Sequence, residues 1–283
     1  MSQPMKCMLD KLRKYWGIIA VTVSILVIES CRPKNNEEVI PEDPSALSTC
    51  ILLSEKINGI SSRAYEYDSL RKLTRMLEYS GTAPVNTLIK RYTFEYNSKN
   101  TLIGFRETNL AVKDQSFIYE LDYTGTNQLK AIRPFRVFNS GPRAEDTLTV
   151  VYGTNARIAE LKSIRGISSK WEYDTAGNVK KWLVRTPLMK SDSLMAEYGS
   201  FDDKVNVYAF SQGMQLVNLL TGRAPSRRNP FNYTASGQSV EATYQYNDKR
   251  VPTQAVLKFK SNNNTLRETV YAYELNCNCH YLK

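Results

Sequence analysis

Residues able to do chemistry are few in this chain, and their spacing limits what they could do. The 283 residues include one histidine, His280. A Ser-His-Asp or Cys-His nucleophile would have to be assembled at the C-terminal tail, and a multi-histidine zinc centre is excluded. Cys277-x-Cys279-His280 resembles a fragment of a soft-metal site, but no second Cys/His cluster completes it. No metal and no cofactor are therefore expected. Hydrolysis of a glycoside needs only two carboxylates a few ångströms apart. Glu66, Glu95, Asp122 and Glu172 recur at matching positions along the chain. They read as solvent-facing cross-strand partners for Lys and Arg, so no catalytic residue is assigned. No Gly-rich loop leads from a strand into a helix, and no basic helix or zinc-finger spacing points to nucleic acid.

The cysteines say more about compartment than about catalysis. They are Cys7, Cys31, Cys50, Cys277 and Cys279. Lys6, Lys11, Arg13 and Lys14 precede an apolar run from Ile18 to Ile28, which ends in Ser30-Cys31. The run is too short for a bilayer span, which needs about 20 residues. It reads as a signal peptide over residues 1–30, and its end resembles a lipobox, with Glu29 departing from the usual apolar residue. Cys31 is then the lipidation site, and the polar, Pro-containing stretch 31–48 is a flexible tether. The expected location is the cell envelope, as an outer-membrane lipoprotein held to the membrane by its lipid. Cys50, Cys277 and Cys279 remain in an oxidising compartment. A disulfide from Cys50 to Cys277 or to Cys279 would join the two ends of the folded part, leaving one thiol over.

Ligand-binding candidates concentrate in one stretch, residues 211–239. Met214, Leu216, Val217, Leu219 and Leu220 fit a short amphipathic helix ended by Gly222. Arg223, Arg227, Arg228, Phe231 and Tyr233 follow. An insertion between hairpins is a common place for function, and it also suits a cap over an open end or edge of a sheet. The chain carries a formal charge of +10; residues 1–30 hold four basic and two acidic groups, so +8 remains on the rest. An anionic glycan or a protein is the partner such a surface would take.

The elements that must position these residues are set by a repeat. Tyr65-Glu66-Tyr67-Asp68 is followed by Phe94-Glu95-Tyr96-Asn97, Leu121-Asp122-Tyr123-Thr124, Val150-Val151-Tyr152-Gly153 and Trp171-Glu172-Tyr173-Asp174. Five residues past each turn opener come Leu73, Leu102, Leu129, Ile158 and Val179; eight past come Met76, Phe105, Ile132, Leu161 and Trp182. Each unit reads as strand, type I turn with a G1 bulge, strand. Asn100, Asn127 and Gly177 suit the left-handed position, whereas Arg71 and Ala156 there predict looser turns. The two apolar positions lie three apart, so either a bulge shifts the phase or both faces of the sheet are covered. The tyrosines are expected to pack cross-strand with wet hydroxyls. Phe201–Val205 looks like a worn copy of the unit, and Tyr244–Arg250 a clearer one.

Tyr-Asp-x-x-Gly-Asn-Val-x-x-Trp, from Tyr173 to Trp182, resembles a YD (RHS-type) repeat. Roughly residues 60 to 275 resemble the hairpin-repeat lipoproteins of Bacteroidota, many of which lack a known function. The resemblance implies a fold and a compartment, and no reaction. The expected fold is all-β: an antiparallel meander of repeated hairpins over residues 49–283, twelve to fourteen strands, as a strongly twisted open sheet or a closed barrel with one short helix. The expected function is non-enzymatic binding of a glycan, an envelope component or a protein partner. A carboxylate-dependent polysaccharide hydrolase and a purely architectural spacer are the alternatives.

Overall fold

The computed structural model describes residues 50–81, 86–112, 115–153, 156–222, 226–235, 237–261 and 264–277. The segments expected to be signal peptide and tether, with Cys31, and also Arg223, Cys279 and His280, lie outside the described residues. The first repeat units form β1 (Ile51–Ile57), β2 (Ile60–Tyr67), β3 (Leu73–Tyr79), β4 (Leu88–Tyr96), β5 (Leu102–Asn109), β6 (Ser116–Tyr123) and β7 (Leu129–Phe138). Next come β8 (Gly141–Ala144), β9 (Leu148–Tyr152), β10 (Ile158–Ser163), β11 (Ser168–Tyr173), β12 (Val179–Arg185) and β13 (Ser193–Tyr198). An excursion holds β14 (Phe201–Val205), a 3-10 turn at Val207–Ala209, helix α1 (Gln212–Leu220) and β15 (Arg228–Pro230). The wall resumes with β16 (Asn232–Ala235), β17 (Gln238–Tyr246), β18 (Pro252–Ser261) and β19 (Asn264–Asn276).

Sixteen strands close into an antiparallel barrel. Neighbours pair in chain order from β1 to β7, then β7 to β9 and on to β13. β13 pairs with β16, and β16 to β19 continue the wall until β19 returns to β1. β8 folds back on the outer half of β7 as a flap. A disulfide joins Cys50 to Cys277 beside the closing seam. In the chain-entropy account, closing a loop of 227 residues contributes about 5 kcal/mol. The strands outnumber the twelve to fourteen expected: β8 is a four-residue strand between two repeat units, and β13–β16 lie past Trp182, where the repeat pattern fades.

Every repeat turn has the same geometry. Arg71, Asn100, Asn127, Ala156, Gly177 and Arg250 all have φ between 52° and 79°. Their amides donate to the opener's carbonyl at 2.9–3.2 Å. The turns at Arg71 and Ala156 are thus no looser than the rest. Left-handed φ costs a non-glycine residue about 1–2 kcal/mol, and an opener with a side-chain oxygen offsets part of it. Asp68 Oδ1 accepts from the amides of Leu70 and Lys72, and Asn97 and Asn247 do the same for their own turns.

The spacing of three between apolar positions comes from a bulge. The register slips between Glu66 and Tyr67, Glu95 and Tyr96, Asp122 and Tyr123, Glu172 and Tyr173, and Gln245 and Tyr246. Each slip leaves one residue of the return strand unmatched, so Leu73 and Met76, or Leu102 and Phe105, both face inward and are buried. The tyrosine before the turn faces inward too. In three units its hydroxyl donates to the first apolar residue of a neighbouring unit: Tyr96 to Leu73 O at 3.0 Å, Tyr123 to Leu102 O at 2.6 Å, and Tyr173 to Ile158 O at 2.7 Å. Tyr67 makes the same bond to Leu52 O at 2.9 Å. These hydroxyls are therefore not wet; they are spent on backbone carbonyls inside the wall, and burial raises the pKa of Tyr67, Tyr152 and Tyr173, that of Tyr152 to about 12.

Gly177 tests the turn assignment, because its φ of +79° is set by the hairpin loop and a Cβ there would meet the Arg157 guanidinium at 2.7 Å. Gly177→Val should lower stability by about 1–2 kcal/mol, and Gly177→Asn by clearly less, since asparagine tolerates the left-handed region. Denaturant unfolding of both variants gives the comparison; equal losses would contradict the assignment.

Candidate functional site

The excursion between β13 and β16 leads to the expected ligand residues. The wall is left at Gly199, and the backbone recrosses it at Phe231, whose carbonyl accepts from the Ala242 amide at 2.7 Å. In between, α1 runs inside the barrel rather than over an edge. Gly213, Met214, Leu216, Val217, Asn218 and Leu219 are all buried, which is most of its circumference. Gly213 sits so close to the Phe94 ring that a Cβ would lie 2.7 Å from Cε1. A helix buried on most sides needs a surrounding apolar wall, and the inward Leu73, Met76, Phe94, Leu102, Phe105 and Ile132 supply it.

Polar grips hold this plug in place. Glu55 and Arg63 face each other across β1 and β2, and both are buried. The Tyr208 hydroxyl, from the 3-10 turn, donates to Glu55 Oε2, and Arg63 donates to Asn218 Oδ1 of α1 at 3.3 Å. The charges continue around the inner wall. Arg63 lies across from Glu78, and Glu78 across from Lys90. Lys90 Nζ reaches Glu107 at 2.8 Å, and Tyr119 donates to the same carboxylate. Burial works against the Arg63 charge, but Tyr65, Glu55 and Glu78 raise its pKa above the ordinary value, so it stays a cation. This arc of alternating charge had a sequence signal. Arg63, Glu78, Lys90 and Glu107 each stand two residues from a core position, Tyr65, Met76, Tyr92 or Phe105, and so share its inward face.

At the repeat-turn end, Asp202 ties the excursion to the wall. Its Oδ1 accepts from the amides of Lys204 and Asn229 at 3.0 and 3.1 Å. Its Oδ2 accepts from Asn229 Nδ2 at 2.8 Å and from the Tyr246 hydroxyl of β17. Burial, then the hydrogen bond and charge of Asp202, push the Tyr246 hydroxyl above its ordinary pKa. Phe201–Val205 is accordingly no copy of the repeat: β14 pairs with β15 in a two-stranded ribbon.

Of the expected ligand residues, Arg228 lies on β15, with Arg227 just before it, Phe231 just after it and Tyr233 on β16. Arg228 is held through its amide on Asn178 Oδ1, and Arg227 through its carbonyl, which accepts from the Asn206 amide. Both arginines are half-buried. Phe231 and Tyr233 belong to an aromatic cluster. The Tyr233 ring lies 5.3 Å from Tyr198, and Phe231 lies 6.3 Å from Tyr244, whose hydroxyl donates to Pro230 O. Phe231 and Tyr233 thus each pack on a tyrosine of a neighbouring strand, and the two arginines precede them along the chain. An open cleft of about 520 Å³ lies elsewhere, next to the disulfide, lined by Leu53, Asn247, Thr253, Tyr273 and Cys277 among others. It shares none of the expected ligand residues. Among the described residues, no group of three or more His, Cys, Asp or Glu side chains is arranged to hold a metal ion.

The outer wall has the opposite character. Glu66 pairs with Arg75 at 2.8 Å and Asp122 with Arg133 at 2.7 Å, across neighbouring strands. Lys181–Glu197, Lys260–Glu241 and Lys258–Glu268 continue such pairs on β12–β13, β17–β18 and β18–β19. Glu66 and Asp122 thus have the cross-strand basic partners expected of them.

No family model matches the sequence, and no curated protein matches it. Among solved structures, the chain is similar to a porin-like protein from Bacteroides uniformis, at 15% identity over 84% of this chain and 98% of that one, with a TM-score of 0.48. It is similar to a porin-like protein from Bacteroides vulgatus at 14% identity, 79% and 98% coverage and a TM-score of 0.37. A structure of the Photorhabdus luminescens Tc holotoxin pore matches at 9% identity and a TM-score of 0.32, over 74% of this chain and 11% of that one.

The Asp202 junction yields a prediction. Asp202→Ala strands donors from Asn229 and Tyr246 and should cost about 3 kcal/mol, whereas Asp202→Asn keeps one acceptor and should cost less. Urea unfolding measures both. A loss for Asp202→Ala below about 0.5 kcal/mol, the level of an ordinary surface change, would show that Asp202 does not hold the excursion.

Proposed function

We propose that this protein is a lipid-anchored component of the cell envelope that works as a water-facing, self-plugged barrel and binds an envelope partner without catalysis. The observation that carries this reading is the polarity of the wall. A membrane-spanning barrel presents an apolar band about 25 Å tall to lipid and keeps its interior polar. Here the outer face carries cross-strand ion pairs, and the inner face carries the apolar core with α1 buried in it. Such a wall belongs in water. The Cys50–Cys277 bridge fits an oxidising compartment. Cys31 after a basic start and a short apolar run fits attachment by lipid to the outer membrane.

The partner this reading favours is an anionic glycan or a protein. It would be met along the margin of Arg227, Arg228, Phe231 and Tyr233, with Arg223 in the preceding segment. Arginine offers forked donors to carboxylate or phosphate, and a part-exposed ring such as Phe231 offers a face for stacking.

Two readouts on the full chain test the proposal. In planar bilayers the purified protein should produce no ion-conducting steps. In cells, Cys31→Ala should move the protein from the membrane to the soluble envelope fraction. Steady single-channel steps, or unchanged membrane retention of the alanine variant, would contradict the reading.

A further inference from the structure

The arc of charge inside the barrel lies at the level where solvent enters. Arg63, Glu78, Lys90 and Glu107 each stand one inward position farther from the repeat turns than the core residue beside them. Although they face inward, the side chains of Glu78 and Lys90 are 26% and 31% accessible, so the lumen is open at this end. Arg63 and Glu107 lie deeper, at 3% and 10%. The mouth of a barrel is a common place for a ligand. Two donors at the floor of this mouth are unspent. Arg63 makes a hydrogen bond of 3.3 Å to Asn218 and lies 3.9 Å from Glu78, and its Nε has no partner among the described residues. The Tyr92 hydroxyl, one inward position below Lys90, is also buried and unpartnered among the described residues. Burial, then the carboxylates of Glu107 and Glu78, raise its pKa, and Arg63 acts the other way. The hydroxyl therefore keeps its proton and stands among these charges.

Charge identifies the ligand class. A buried guanidinium and a buried hydroxyl with donors to spare favour an anionic oxygen. A simple anion is nevertheless repelled, because three carboxylates, Glu55, Glu78 and Glu107, share the arc with two cations, Arg63 and Lys90. Farther round, Arg136 is matched by Glu145 at 2.7 Å. A metal ion or other simple cation meets Arg63 and Lys90 instead. The ligand that fits carries both signs. The 3.9 Å between Arg63 and Glu78 is too long for a hydrogen bond. A molecule with a carboxylate and an ammonium on one carbon can replace that contact with a charge-assisted bond to each residue. We infer that the barrel mouth is a binding site for a small zwitterion of the α-amino-acid class, its carboxylate on Arg63 and Tyr92 and its ammonium on Glu78. Glu107 stays paired with Lys90 at 2.8 Å. The site is separate from the margin of Arg227 to Tyr233 and stands whatever binds there.

L-alanine is the probe, titrated into the full chain and followed by nuclear magnetic resonance. It should saturate with a dissociation constant of about 1 mM or below. N-acetyl-L-alanine lacks the ammonium and L-alaninamide lacks the carboxylate; each should bind about tenfold more weakly or worse. Tyr92→Phe should weaken L-alanine severalfold, with unchanged near-ultraviolet circular dichroism showing that the core stays packed. Glu78→Gln should weaken L-alanine severalfold yet strengthen N-acetyl-L-alanine, because it removes a carboxylate that repels the anion. A merely structural role for Glu78 would weaken both. No saturable binding of L-alanine, equal binding of either blocked form, or undiminished binding by folded Tyr92→Phe would overturn the proposal. Tighter binding of N-acetyl-L-alanine than of L-alanine would overturn it in favour of a simple anion site.

Discussion

Beside each repeat turn the return strand carries one residue more than its partner, and the inside of the barrel depends on that slip. Without it, residues three apart would point to opposite faces of the wall. With it, Leu73 and Met76, Leu102 and Phe105, and Leu129 and Ile132 all turn inward. The slip lies next to the turn, where a left-handed residue such as Asn100 or Gly177 ends the loop. Turn chemistry and core composition are therefore one constraint. A unit that lost its bulge would expose one of its two large apolar residues and bury a polar neighbour.

The tyrosine before the turn converts this local device into a wall. The hydroxyls of Tyr67, Tyr96, Tyr123 and Tyr173 reach back to backbone carbonyls on a neighbouring part of the wall, so hairpins are joined by side chains as well as by strand pairing. Sixteen strands enclose more space than their own inward side chains fill, and a barrel of this size otherwise holds a channel or a plug. The excursion between β13 and β16 is that plug. It is gripped at one level by Glu55 and Arg63 and at the turn end by Asp202. The same arrangement removes the lumen as a route for solutes and leaves a charged outer wall for water. On the proposed reading, binding then lies on the surface, at the ends and margins.

Much of this was legible in the residue order. Local turn chemistry repeats in register, so the hairpins, the all-β class and the joining of the chain's ends by Cys50 could be read from types and spacing. Other features depend on closure, which no local pattern encodes. The alternation that put Tyr67 and Tyr96 on an inner face could not say that a neighbouring carbonyl lay within reach of each hydroxyl. The apolar positions of α1 were visible, but a cap and a plug have the same pattern until the barrel around them is known. Strand β14 kept the outline of a repeat, yet Asp202 is committed to Asn229 and Tyr246 rather than to a turn. The inward arc from Glu55 to Glu107 runs against the usual rule that charged residues in strands face solvent, so residue type alone does not mark it. Of the ligand candidates, Tyr233 packs on Tyr198 and Phe231 on Tyr244, contacts between strands that no local pattern shows.

Amide hydrogen exchange of α1 tests the central claim, a closed barrel filled by its own insertion, most directly. If the helix lies in the lumen, the amides of Val217 to Leu220 should open only with the wall and exchange as slowly as the central residues of β4 and β5. A helix resting on an edge or hanging from a loop would exchange many orders of magnitude faster than those strands. That result would contradict the plugged barrel and, with it, the argument that this protein acts through its outer surface.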